Sequence, residues 1–207
     1  MDDLKVLKNE LQTIIKGESI PGESNLIQSA KAYLKNYTGA NSESQSSKLN
    51  RSEEERALKE FVKNNSLFLK RGQLGKYVTE GAEKKIYYAE NDRELSKVSD
   101  AIFYQTWTDY LNNLLLHNYF FPDTVYKLCG FIEEDETFFA FVKQLFVFNT
   151  ESIKLEQVKS YLLQNGFIHK KNNDYYHPYL GIILEDLYDE NVLTNNGVLF
   201  FVDTGFI

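Results

Sequence analysis

Leu4, Leu7, Leu11, Ile14 and Ile15 recur at three- and four-residue spacing, which predicts an amphipathic helix at the start of the chain. Ile20-Pro21-Gly22-Glu23-Ser24 interrupts that pattern, and Ser24 is placed to cap a second short helix with Leu26, Ile27, Ala30 and Leu34 on its apolar face. Residues 38–50 have almost nothing to bury and read as a linker. At Ser52-Glu53-Glu54-Glu55 an acid follows a serine by three positions, the mark of a helix start, with Leu58, Phe61 and Val62 beyond it. From about residue 66 the texture changes to short β signals. Tyr77–Thr79, Ile86–Tyr88 and Leu95–Val98 are separated by turns at Glu80-Gly81 and Glu90-Asn91-Asp92. A helical pattern over 101–118 puts Ile102, Phe103, Tyr110, Leu114 and Leu115 on one face. Two long strands, 126–132 and 137–148, then flank the acidic turn Glu133–Glu136. A helix over about 152–164 ends at Gly166, and strands follow at 181–184, 192–194 and 198–202.

Composition narrows the function classes. The chain has 207 residues, with 23 Lys+Arg against 30 Asp+Glu and a net charge of −7. An acidic chain lacks the positive field that nucleic acid or an anionic membrane requires, so neither is an expected partner. A hydrophobic fraction of 43% excludes a wholly disordered chain. Cys129 is the single cysteine, which excludes an internal disulfide and a thiolate zinc cluster. No apolar run approaches the roughly 18 residues of a membrane span. The start Met1-Asp2-Asp3-Leu4-Lys5 lacks the apolar core of a signal peptide, so a soluble, cytoplasmic protein is the expectation. His117, His169 and His177 show no metal-ligand spacing and read as structural or exposed. Cys129, in a strand, reads as an inert buried thiol.

The candidate chemistry lies near the C-terminus. Asn196-Gly197 between two apolar runs is a strong hairpin signal. With those residues in the turn, Asn195 pairs with Val198 and Asn191 falls opposite Val202, which brings Asn191 beside Asp203. An amide oxygen and a carboxylate at one end of a hairpin suit Mg²⁺, which keeps waters and takes phosphate oxygens as its other ligands. Asp186, on the loop before the same strand, is a carboxylate able to accept a proton from an attacking hydroxyl.

Asp186 with Asn191 five positions later, then a hairpin and Asp203-Thr204-Gly205, resembles the catalytic-loop and metal-binding segments of the protein-kinase-like superfamily. Leu184 and Glu185 precede the aspartate instead of His and Arg, and Asp186-Leu187-Tyr188-Asp189-Glu190-Asn191 is similar to the loops of small kinase-like enzymes such as aminoglycoside phosphotransferases. Upstream, the stretch from Gly75 to Tyr87, including Gly81, resembles a glycine-rich first hairpin. Lys97 stands where that fold keeps its phosphate-binding lysine, and Phe141–Val147 resembles the last strand and hinge of the first lobe. The set as a whole most resembles the kinase-like domain of bacterial polyvalent proteins, large multidomain products of mobile elements.

The resemblance implies an α+β, reduced two-lobe protein-kinase-like fold: a helical N-terminal segment over 1–65, a first lobe of five antiparallel strands and one helix over 66–148, and a truncated second lobe over 149–207. It implies ATP and Mg²⁺ as cofactors. Lys97 would hold the α/β-phosphates beneath the backbone between Gly75 and Gly81. Gln144 and Phe146 would lie beside adenine, Asn191 and Asp203 would hold the metal, and Asp186 would serve the acceptor hydroxyl. Three departures stand against this. No glutamate lies between Lys97 and Glu133, leaving Asp109 or Asp100 as the acids available to pair with Lys97. The first hairpin has no glycine between Gly75 and Gly81, and only four residues follow Asp203, too few for an activation segment. Two expectations therefore stand together: a phosphotransferase acting on an alcohol group, or a nucleotide-binding or protein-interaction module without turnover (a pseudokinase). The N-terminal helices are expected either to pack on the first lobe or to dock a protein partner.

Overall fold

The computed structural model describes residues 2–16, 26–41, 50–89 and 93–207. The break at 20–24, the Ser24 cap and the turn at 90–92 fall outside them. The fold is mixed α+β with antiparallel sheets. Helices α1 (Asp2–Ile15), α2 (Leu26–Asn41) and α3 (Arg51–Asn64) precede strands β1 (Lys76–Glu80), β2 (Lys85–Tyr88) and β3 (Glu94–Ser99). Helix α4 (Trp107–Phe120) leads to β4 (Lys127–Glu134) and β5 (Thr137–Leu145), and the five strands form one sheet in the order β1-β2-β3-β5-β4. Helix α5 (Leu155–Gln164) follows. Next come β6 (Ile168–His169), β7 (Tyr175–His177), β8 (Ile182–Glu185), β9 (Val192–Asn195), β10 (Val198–Phe201) and β11 (Gly205–Phe206). These make a β9–β10 hairpin and a four-stranded sheet in the order β11-β8-β7-β6. No helix is long and apolar enough to cross a membrane among the described residues.

One face of the five-stranded sheet buries Leu128, Ala140 and Val142 against Ile27, Ala30 and Leu34 of α2, Leu58 and Val62 of α3, and Trp107, Leu111 and Leu114 of α4. The other face carries a smaller cluster of Tyr87, Val98, Ile132 and Phe141. A third cluster joins Leu116 of α4 and Phe121 to Val158 and Leu162 of α5, Leu184, Val192, Phe201 and Phe206. Helix α4 is therefore the shared wall of two cores, because its apolar positions wrap most of its circumference. The first core crosses the boundary expected at 65/66: α3 belongs to it through Ala57, Leu58, Phe61 and Val62. Helix α2 also runs on to Asn41, into the expected linker, whose residues 42–49 lie outside the described ones.

The helix expected from 101 begins at Trp107 instead. Ala101 has φ +56°, which a right-handed helix forbids. Arg51 donates to the carbonyls of Ala101 and Tyr104 at 2.6 and 2.8 Å and to that of Asp100, holding the loop in place. Thr106 caps the helix by accepting from the Asp109 amide, and buried Glu54 accepts from the Thr108 amide at 2.9 Å and its hydroxyl at 2.6 Å. Ile102 and Phe103, expected in the core, are 64% and 60% exposed. The strand expected to Phe148 stops at Leu145, while β6, β7 and β11 are two- or three-residue strands too short to leave a periodic signal. Gly166 ends α5 as expected. At φ +82° its amide bonds Leu163 O and that of Phe167 bonds Leu162 O, satisfying two terminal carbonyls.

Candidate functional site

The β9–β10 hairpin has the register expected from Asn196-Gly197: Asn195 pairs with Val198 and Val192 with Phe201. The Val202 amide then donates to Asn191 O at 2.9 Å, extending the ladder to the residue before Asp203. Below it, β8 pairs with β11 with Glu185 opposite Gly205, so antiparallel register carries Asp186 toward Thr204. A Cβ at Gly205 would sit 3.6 Å from Asp186 Oδ2. Asp186 and Asp203 line one cavity of 720 Å³, together with Glu83, Lys84, Asp109 and Glu185. Its apolar wall includes Phe103, Leu116, Leu180 and Phe206.

Asp203 is the centre of the buried side. Lys97 Nζ lies 3.1 Å from its Oδ2, and also donates to Gln144 Oε1 at 2.7 Å and Val202 O at 3.3 Å. Lys84, from the turn before β2, pairs with Oδ1. The Tyr126 hydroxyl lies 2.8 Å from that same oxygen and 2.8 Å from Val202 O. Both ammonium groups stand over the Tyr126 ring, at 5.7 Å for Lys84 and 5.5 Å for Lys97. Burial alone would raise the Asp203 pKa. The two lysines and the phenol outweigh it and hold the carboxyl well below the usual carboxylate range. Burial pulls Lys97 down, with Asp203 opposing. Burial, reinforced by Asp203, drives Tyr126 well up, so its phenol remains a donor. Burial also raises Glu83, with Lys84 opposing.

Beneath this lies a neutral polar layer. His117 Nδ1 is 3.0 Å from Thr204 Oγ1 and Nε2 is 3.0 Å from Thr124 O. A carbonyl only accepts, so Nε2 carries the proton and Nδ1 accepts from the Thr204 hydroxyl. Burial lowers His117 to about 3, so the ring is neutral at ordinary pH. Asn113 Oδ1 accepts from the Phe206 amide at 2.7 Å. Helix α4 thus holds residues 204–206 by two side chains, neither of which the sequence pattern singled out for that task.

The expected site residues divide into groups. Lys97 touches Asp203, Asp203 and Asp186 line one cavity, and Asn191 Nδ2 donates to Asp186 O at 2.7 Å, while neither Lys97 nor Asn191 is among the residues lining that cavity. With its amide nitrogen so used, the Asn191 oxygen is the end left for a cation. Asp186 has φ +62°, a conformation that Asp and Asn tolerate better than most residues. Carboxylate and amide oxygens of the kind Asp203, Asp186 and Asn191 carry are the hard donors that Mg²⁺ takes, but both Asp203 oxygens are engaged by Lys84 and Lys97, and no group of three or more His, Cys, Asp or Glu side chains is set to hold a metal among the described residues. Water and phosphate oxygens would have to complete such a shell.

Gln144, expected beside adenine, has its side chain engaged within the protein. It is buried, accepting from Lys97 and donating to Thr124 O at 2.7 Å, because strand alternation puts it on the face that carries Lys97 and Val142. Phe146 packs its ring edge-on against Tyr88 at 5.8 Å. Gly75 is required by its neighbour: at φ +94° a Cβ would lie 1.9 Å from Tyr88 O. Gly81 closes the β1–β2 turn by donating to Lys84 O at 3.0 Å. Neither Asp109 nor Asp100 pairs with Lys97. The Asp109 carboxylate accepts from the Thr106 hydroxyl and that of Asp100 from the Ile102 amide. Lys84 and Tyr126 escaped sequence reasoning because each is an ordinary residue until the fold brings Asp203 to it.

A family model for serine/threonine/tyrosine kinases found in polyvalent proteins matches residues 51–207, and the chain belongs to that family. The match opens at Arg51, the residue that clamps the loop before α4. No curated protein and no solved structure matches the chain.

Proposed function

We propose that this member of the polyvalent-protein kinase family is an ATP- and Mg²⁺-dependent phosphotransferase with an alcohol group as acceptor. In this reading the five-stranded sheet with α4 and the region after Leu145 are the two lobes of a reduced kinase-like fold. The observation that carries it is that Asp203, which lines a cavity together with Asp186, is met from its buried side by Lys97. Lys97 is the phosphate-binding cation, set on a central strand and oriented by Gln144. Asp203 and Asn191 bind the metal, which supplies charge neutralisation between the phosphates. The backbone between Gly75 and Gly81 covers the phosphates, and adenine lies near Phe146. Asp186 orients the acceptor hydroxyl and takes its proton as the hydroxyl oxygen bonds the γ-phosphorus and the bond to ADP breaks. Catalysis of this kind is chiefly positioning and charge stabilisation.

The reading predicts Mg²⁺-dependent ATP binding by calorimetry and labelled phosphate transfer that Asp186→Asn reduces by about 10²-fold or more. Absence of both in the purified chain would refute it. A second reading, nucleotide binding without turnover, is favoured by one observation: both Asp203 oxygens are engaged by ammonium groups. Binding with no transfer, unchanged by Asp186→Asn, would select it.

A further inference from the structure

Lys84 has no part in the roles above, yet it reaches the same carboxylate as Lys97. Ile86 pairs with Lys97 across β2 and β3, so those two side chains share a face. Lys84 lies two residues before Ile86 and, by strand alternation, emerges on that face as the diagonal neighbour of Lys97. Lys85 goes the other way, 5.7 Å from the Phe139 ring. Two lysines thus converge on one aspartate, Lys84 at Oδ1 and Lys97 at Oδ2, with Tyr126 also on Oδ1.

This arrangement conflicts with metal binding as it stands. A divalent cation on Asp203 would meet two ammonium groups within contact distance, and like charges that close repel strongly. One lysine must withdraw. Lys97 is fastened by Gln144 Oε1 and Val202 O and its side chain is 3% exposed. Lys84 is 10% exposed and hangs from a four-residue turn, with Glu83 at 3.8 Å as its other ionic neighbour. The turn's own glycine, Gly81, has open space around it.

We propose that Lys84 is a second phosphate-binding cation of the nucleotide site, which gives up Asp203 to the divalent cation and turns to the phosphates. This rests on the nucleotide-binding reading above. Lys84 and the metal then exchange places on Asp203: the carboxylate keeps a positive partner throughout, and the ammonium released meets the anionic ligand that arrives with the metal.

The test uses the purified chain, Mn²⁺ as a metal probe and a non-hydrolysable ATP analogue with Mg²⁺. Lys84→Gln is expected to bind Mn²⁺ alone about 5-fold or more tightly, because its competitor is gone, and to bind the Mg²⁺–analogue about 10-fold or more weakly; Lys84→Arg is expected to restore analogue binding. An acyl-phosphate derivative of ATP, which acylates lysines near its phosphates, tests the unmutated chain and is expected to label Lys84 as well as Lys97, with ATP competing. Labelling of Lys97 alone, or a Lys84→Gln chain whose two affinities match wild type, overturns the role of Lys84 and leaves the nucleotide site standing. A wild-type chain that binds neither Mn²⁺ nor analogue and is not labelled refutes the nucleotide site, and Lys84 falls with it.

Discussion

Asp203 and Asp186 line the same cavity, but their surroundings differ in kind. Asp203 sits in a bed of crossed hydrogen bonds: two lysines, a phenol and, one layer down, the His117–Thr204 and His117–Thr124 contacts. Asp186 is carried on a loop whose order comes from its own backbone. Tyr188 N and the Asn191 side chain both donate to Asp186 O, and Leu187, between Asp186 and Tyr188, is buried. In the first region charge is held in low dielectric, where each unsatisfied group is costly. In the second the carboxylate contributes little to holding the fold. Under the phosphotransferase reading proposed above, the two would serve different ends: a fixed cradle for highly charged phosphates, and an acid–base group that stays accessible to an acceptor.

The sharpest way to break this contrast is Asp203→Ala. It leaves the buried Lys97 ammonium with no carboxylate and Lys84 with Glu83 alone, and destabilisation of about 3–5 kcal/mol is expected in urea titration. A loss under 1 kcal/mol would mean that the bed is not a coupled unit. Next in size is the response to acid. His117 has its folded value depressed to about 3 from an ordinary 6.5, so its contribution is full above pH 6.5 and is lost as pH falls toward 3. By pH 5 that loss is about 2 kcal/mol, and it should be missing from His117→Gln. Asp203, also depressed, keeps its contribution until pH falls below its unfolded value of 3.8. Stability against pH should therefore fall in two windows, the lower one removed by Asp203→Asn. A single fall below pH 4 would show that His117 is not held neutral.

Tyr126→Phe removes one donor from Asp203 while leaving the ring in place, and about 1–2 kcal/mol is expected by thermal denaturation. The smallest stability effect belongs to Asp186→Asn, within about 0.5 kcal/mol, since Asn accepts the φ of +62° and the loop bonds use backbone oxygen. Asp186→Ala should cost more, because alanine does not favour that conformation. If Asn and Ala behaved alike, the left-handed backbone would not be the constraint on that residue.

The backbone register of the candidate site was legible in the chain because it is set locally. Asn196-Gly197 specified the hairpin register, and with it the approach of Asn191 to the residue before Asp203. The order of strands, helix and Asp186-x₄-Asn191 sufficed for the family. The burial of Gln144 was not legible, because its partners Lys97 and Thr124 O lie 47 and 20 positions away along the chain. The start of α4 was misplaced for a related reason: Arg51 and Glu54, about 50 residues upstream, hold the loop and cap the helix, and no window around residue 101 contains them.

Local pattern along the chain was enough for most of the periodic elements and for the α3–β–α4–β order. Those follow from backbone geometry and side-chain spacing, which act over a few residues. Only the tertiary structure decided which acid answers Lys97, since Asp203 is 106 positions away. It also decided that Lys84 and Tyr126 share that acid. Long-range partners of a buried charge are chosen by which groups the packed core excludes from water together, and spacing along a chain carries no record of that choice.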